Sequence, residues 1–266
     1  MEKLFISADL EGISGVVDWQ ETELKEDLAE YFKKQMAREV AAACEAAGDH
    51  GVKDILVKDA HGSGRSINPS ILPKNTRIFR SSARTPLIMM AGIDATFDGA
   101  GFIGYHSAAG SNGNPLAHTM NGGIFEVTVN SIVASEFVLN AYSAASFNVP
   151  VYFLSGDRAL CESCKVIAPN IKTIPVSEGH GAGSISIHPD LAVERIRETV
   201  SEALDMDPDK MIIQLPDSFD VTITFKKHEQ ALRASFFPGT KQVNAHQVKA
   251  SFKTWPDVLT FIFFTF

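Results

Sequence analysis

LFISADLEG, residues 4–12, opens with an apolar run and breaks into acids at Asp9 and Glu11, with Gly12 directly behind. Apolar residues that give way to acids mark a buried strand ending at a polar site. Positions i and i+2 of a strand share a face, so Asp9 and Glu11 are expected side by side at its C-terminal end. In open α/β sheets that edge is where ligands bind. Two carboxylates this close repel unless a cation lies between them, and a divalent metal is the usual solution. Without one, they are two solvated acids in a turn.

The same texture recurs downstream. Residues 21–47 are rich in Glu, Lys, Ala and Leu, run to glycines at 48 and 51, and are expected to form a long helix. Residues 54–58 (DILVK) are a second buried strand, and Asp59-Ala60-His61-Gly62 again puts an acid and a histidine at a strand end. Strand, helix and strand in that order imply a parallel sheet with a right-handed crossover. Residues 95–105 carry a further buried strand ending at His106. Short strands are expected at 76–80, 149–154, 171–176 and 221–225, and an alternating arm at 125–133. Helices are expected at 86–92, 135–145, from the Ser155-Gly156-Asp157 turn to about 167, and at 189–204, where Pro189 suits a first turn. Residues 107–117 are a flexible loop closed by His118, and 177–186 a Gly/Ser-rich segment. The expectation is an α/β fold with a mostly parallel central sheet flanked by helices, one catalytic unit over residues 1–266. A change of texture near 205 points to a small C-terminal subdomain over about 205–266.

The 266 residues, 45% hydrophobic and 21% charged, suit an ordinary globular chain. A net charge of -8 without a basic stripe argues against a nucleic-acid partner. No apolar run is long enough to span a membrane, and residues 258–266 are expected to pack as a terminal helix or cover a subunit contact. The N-terminus runs directly into a strand, so no signal peptide is expected. Three cysteines do not make a disulfide framework, which favours a reducing cytoplasm, and the lone Cys161-x-x-Cys164 spacing is expected to be structural.

Parallel strands deliver their C-terminal ends to one edge, so Asp9, Glu11, His61 and His106 are expected to converge there. Glu136, at a helix start, can add a third carboxylate; alone it is an N-terminal acid favoured by the helix dipole. Asp59 either caps its loop or orients His61. Two zinc ions sharing one bridging carboxylate would use this whole set, and its oxygen and imidazole donors also suit manganese or iron.

At these residues the chain resembles the DppA-type zinc D-aminopeptidases. The motifs SADLEG (7–12), VKDAHGS (57–63), GYH (104–106), AHTM (117–120) and SEFVLNA (135–141) occur in that order, followed by SGDRA (155–159) and FPGT (237–240). The resemblance implies a two-zinc aminopeptidase acting on short peptides with an N-terminal D-residue, such as D-alanyl peptides. It makes Asp9 the bridging ligand, Glu11, His61, His106 and Glu136 the other ligands, and His118 the catalytic histidine. It also implies a homodecamer of stacked rings enclosing the active sites. The loop 107–116 and the Gly-His-Gly-Ala-Gly segment after 176 depart from the family pattern and are expected to shape the pocket. The expected chemistry is metal-assisted amide hydrolysis, with His118 off the metals as general base or acid, or stabilising the oxyanion. The rivals are a two-metal phosphatase or deacetylase, whose cationic clamp would have to come from Arg65, Arg84 or Arg158, and a metal-stabilised assembly protein without turnover.

Overall fold

The computed structural model describes residues 1–266. Strand β1 (Lys3–Ala8) lies inside a seven-stranded sheet. On one side it pairs in parallel with β2 (Asp54–Asp59), and β2 with β3 (Thr76–Phe79). On the other it pairs in parallel with β4 (Gly99–Tyr105), followed by β7 (Val151–Asp157) and β8 (Lys172–His180). Only β9 (Gly183–Ser186) runs antiparallel, along β8. The chain thus winds outward from β1 in both directions. The reversal of strand order between β1 and β4 opens a crevice at their C-terminal ends, where such sheets hold ligands.

Alternation along β1 assigns the two faces. Leu4 and Ile6 belong to an apolar cluster shared with α1 (Ala29–Asp49) and α4 (Pro189–Leu204). Phe5 points the other way, into a cluster with α2 (Glu136–Ser146) and α7 (Trp255–Thr265). That second cluster also takes in a five-stranded antiparallel sheet, ordered β11 (Lys241–Asn244), β12 (Gln247–Phe252), β10 (Phe219–Phe225), β5 (Ile124–Val129) and β6 (Ile132–Val133). The smaller sheet therefore combines residues 124–133 with the C-terminal strands. The shorter helices are α3 (Arg158–Ser163), α5 (Pro208–Met211) and α6 (His228–Ala234).

Three local expectations are corrected. The long helix starts at Ala29, not at residue 21. Glu21 instead closes a capping box with Asp18 around the single turn Trp19–Glu21, and its carboxylate accepts the Val17 and Asp18 N–H groups. Residues 22–28 then pass as turns over the sheet edge. The segment 177–186 is a hairpin of β8 and β9, with Gly181 at φ +61° in its turn. Of the helix expected at 86–92, only one turn forms, Ile88–Met90. Residues 189–204 form the expected helix, with Pro189 in its first turn.

Gly12 is required where the chain beyond β1 passes against the end of β4. Its N–H donates to the Gly104 carbonyl at 2.8 Å, and a Cβ there would lie 1.8 Å from the Tyr105 carbonyl oxygen. This contact places the Asp9–Glu11 turn directly against the end of β4.

Candidate metal centre

Strand ends deliver the site. Asp9 and Glu11 follow β1, His61 follows β2, His106 follows β4, and Glu136 opens α2 behind its N-cap Ser135. All except His61 are buried, and His61 is nearly so. Their donor atoms form two groups, each within 4.8 Å internally: Asp9, Glu11 and His61, and His106, His118 and Glu136. Asp9 joins the groups. Its Oδ1 lies 3.4 Å from His61 Nδ1, and its Oδ2 lies 3.5 Å from His106 Nε2. His118 lies beside the second group: its Nε2 is 3.5 Å from Glu136 Oε1, and its ring stacks on His106 at 4.3 Å.

Each imidazole has one nitrogen committed to a backbone carbonyl. His106 Nδ1 donates to Ser107 O (3.0 Å), His118 Nδ1 to Leu116 O (2.9 Å), and His61 Nε2 to Thr22 O (3.0 Å). A nitrogen facing a carbonyl must carry the proton, so in the neutral ring the opposite nitrogen offers a lone pair to the carboxylates. That is the tautomer a metal ligand needs. Asp9 Oδ2 and His106 Nε2 are buried and make no hydrogen bond. Unpaired buried polar atoms are costly, and two facing one another across 3.5 Å suit a shared cation.

The electrostatics are those of a crowded acid cluster. Burial, then the Glu11 charge, pushes Asp9 well above the usual carboxylate range. Burial also works to raise Glu11, but the His61 imidazole beside it outweighs this and holds it well below that range. Glu136, likewise buried, is brought down to about 2 by His106 and His118. Burial disfavours charge on His61 and His106, yet Glu11 and Asp9 lift His61 to about 11, and Glu136 lifts His106 to about 10. With no metal, protons on the imidazoles balance the carboxylates.

Several groups at the site escape sequence reasoning. The Thr22 carbonyl, in the turns before α1, orients His61. Asn114 donates to the Glu11 carbonyl at 3.2 Å. The Met120 N–H donates to Glu136 Oε1 at 2.7 Å from a backbone at φ +67°, a conformation unusual for a side chain of this size. Asp59 accepts from Ile67 N at 2.7 Å, so it caps its own loop and leaves His61 to Thr22. Burial pushes the Cys164 thiol up to about 12, and Cys161 is buried as well, so neither offers a thiolate.

Over the carboxylates lies a cavity of about 120 Å³, which leads to an outer cleft of about 500 Å³. Trp19, Leu24 and Met120 give the cleft its apolar surface, and Trp19 meets His118 edge-on at 5.2 Å. Lys25 is the one lysine lining the cleft, and no arginine lines either space.

Comparisons with known proteins converge on one family. Residues 2–264 match the family model described as D-aminopeptidase. A D-aminopeptidase of Bacillus subtilis (strain 168) is 28% identical over 240 residues, covering 90% of this chain and 87% of that protein. The solved structure of the zinc-dependent D-aminopeptidase DppA from Bacillus subtilis, described as a self-compartmentalizing protease, superposes with a TM-score of 0.92 at 26% identity. That superposition covers 99% of this chain and 96% of the other. No helix here is long and apolar enough to cross a membrane. With the family match spanning nearly every residue, the chain belongs to the D-aminopeptidase family and is a metallo-aminopeptidase.

Proposed function

We propose that the chain hydrolyses short peptides with an N-terminal D-amino acid, of the D-alanyl type, through a dinuclear zinc site. The observation that carries this is the pair of buried ligand groups joined by Asp9, with Asp9 Oδ2 and His106 Nε2 unpartnered between them. Asp9, Glu11 and His61 would hold one ion. His106 and Glu136 would hold the other, with Asp9 shared. Bound zinc supplies Lewis acidity, polarising a carbonyl and acidifying water.

The chain's own groups supply the rest. His118 keeps a proton on Nδ1 through the Leu116 carbonyl, so Nε2 is free to take a proton from water and return it to the leaving amine. Its ring is held between the face of His106 and the edge of Trp19. The inner cavity is narrow enough to strip a scissile bond of water, while the outer cleft receives the remainder of the peptide. The absence of arginine from both spaces disfavours a phosphatase, which needs a cationic clamp on the transferred group. A homodecamer in the cytoplasm, each subunit one catalytic unit, fits this reading. The self-compartmentalizing relative supports the assembly.

The test compares wild type with His118→Ala, zinc-loaded, on D-Ala-D-Ala and on paired D- and L-alanine nitroanilides. The expected result is hydrolysis of the D-substrates by wild type and a loss of at least about 100-fold in the variant, with zinc content retained. Equal rates in the two proteins would remove His118 from the mechanism. A zinc-loaded wild type inactive on every D-substrate would refute the activity itself.

A further inference from the structure

The SGDRA motif at 155–159 lies outside the ligand set, yet at its centre it carries a carboxylate, Asp157, with no exposed surface. Asp157 closes β7 and accepts three hydrogen bonds. Ser107 N–H donates to Oδ2 at 2.6 Å, Ser107 Oγ to Oδ1 at 2.5 Å, and Leu160 N–H to Oδ1 at 2.9 Å. The last bond caps α3. A neutral serine or asparagine would cap a six-residue helix equally well, without burying a charge. The two bonds to Ser107 are what distinguish a carboxylate here. Ser107 in turn offers the carbonyl that receives His106 Nδ1–H at 3.0 Å.

We propose that Asp157 is a positioning residue for the metal centre: by gripping Ser107 at both its N–H and its hydroxyl, it fixes the carbonyl that sets the tautomer and direction of His106. The inference rests on the metal site proposed above. Carbonyls and carboxylates behind a ligating histidine orient the ring and raise its basicity. Here the support runs through one residue more, because the direct partner is a backbone carbonyl whose place depends on Ser107. His106 has no exposed surface, and its Nε2 lies 3.5 Å from Asp9 Oδ2 and 3.4 Å from Glu136 Oε2. A small rotation of the Ser107 peptide would turn that lone pair away from both carboxylates. Gly113 seals the network from above: a Cβ there would lie 2.3 Å from Ser107 Oγ and 3.2 Å from Asp157 Oδ1. The loop that ends in His118 thus packs on the same carboxylate, so Asp157 also backs the segment that carries the proposed catalytic histidine.

Three variants separate positioning from mere packing. Asp157→Asn preserves the α3 cap and the volume but turns an amide N–H toward the Ser107 N–H. Asp157→Ser preserves the cap and loses reach to Ser107. Ser107→Ala deletes only the hydroxyl bond and is the mildest, should either Asp157 variant fail to fold. Zinc affinity is read by chelator competition on the full chain, and ligand geometry by the visible spectrum of the cobalt-substituted protein. Both Asp157 variants are expected to bind zinc about 10- to 100-fold more weakly with a shifted cobalt band, and Ser107→Ala more weakly than wild type by a smaller factor. Wild-type zinc affinity and an unchanged cobalt spectrum in folded Asp157→Asn, or in Ser107→Ala if the other two do not fold, would overturn the proposal. These measurements read metal rather than turnover. A chain that binds zinc yet cleaves no D-peptide therefore refutes the proposed activity and leaves the test of Asp157 intact.

Discussion

Replacing Glu39 with glutamine should stabilise the protein above neutral pH and do almost nothing below pH 5. Glu39 lies on α1 with no exposed surface. Its Oε1 accepts from Ser14 N–H at 3.1 Å and from Gln35 Nε2 at 3.0 Å, while Oε2 has no partner. Burial pushes its pKa from 4.5 to about 7, against the lowering effect of those donors and of Arg38. The folded value lies above the unfolded one, so the folded state holds the proton more tightly. Stability from this group is complete below the unfolded pKa and drains away as pH rises toward the folded value. At about 1.4 kcal/mol per pH unit, the gap between 4.5 and about 7 amounts to about 3 kcal/mol, fully lost above pH 7. A neutral glutamine can accept the same two bonds and never ionises. Denaturant unfolding of metal-free wild type and Glu39→Gln, at about pH 5 and about pH 8, should give a difference that grows by about 2.5 kcal/mol in favour of the variant, the rest of the span lying below pH 5. Parallel pH profiles for the two proteins would refute the reasoning, because they would show that Glu39 does not titrate differently on folding.

Asp9→Asn should lower bound zinc more than Glu136→Gln, since Asp9 faces both His61 and His106 while Glu136 serves one group; metal analysis showing the reverse order would sink the bridging assignment. Gly12→Ala should destabilise by more than about 4 kcal/mol or prevent folding, because its Cβ would sit 1.8 Å from the Tyr105 carbonyl oxygen; a soluble variant melting near wild type would show that the two strand ends can separate freely.

The convergence of Asp9, Glu11, His61 and His106 is legible in the sequence for a topological reason. Once the strands are recognised as parallel, whatever follows each one must meet at a single edge. Asp157 obeys the same rule at the end of β7, but the Ser155-Gly156-Asp157 stretch looks like an ordinary turn, and nothing local says that its partner is Ser107, fifty residues earlier. The Thr22 carbonyl is invisible for another reason: every residue has one, and only the path of the chain selects it. The Glu, Lys and Leu of residues 21–28 have helical propensity, but the turn opened by the Asp18–Glu21 capping box closes at Thr22, whose N–H and hydroxyl both donate to the Trp19 carbonyl, and residues 22–25 form the cleft wall instead. The smaller sheet pairs β5 with β10 across nearly a hundred residues, and alternation in either strand does not name its partner.

The charge balance of the site ties these observations together. Asp9, Glu11 and Glu136 are all buried around His61 and His106, an arrangement that cannot carry three bare negative charges. Without metal the compensation is protonic: His61 and His106 are lifted to about 11 and about 10 and stay charged at neutral pH. An imidazole that ligates zinc must be neutral, so zinc held by His61 and His106 as proposed would displace these protons. The backbone carbonyls of Thr22 and Ser107 would make that exchange simple, because each holds a proton on the outer nitrogen of its ring and only the inner proton would leave. Much of the framework of this centre, from the Gly12 contact to the Asp157 grip on Ser107, lies behind the proposed ligands rather than among them.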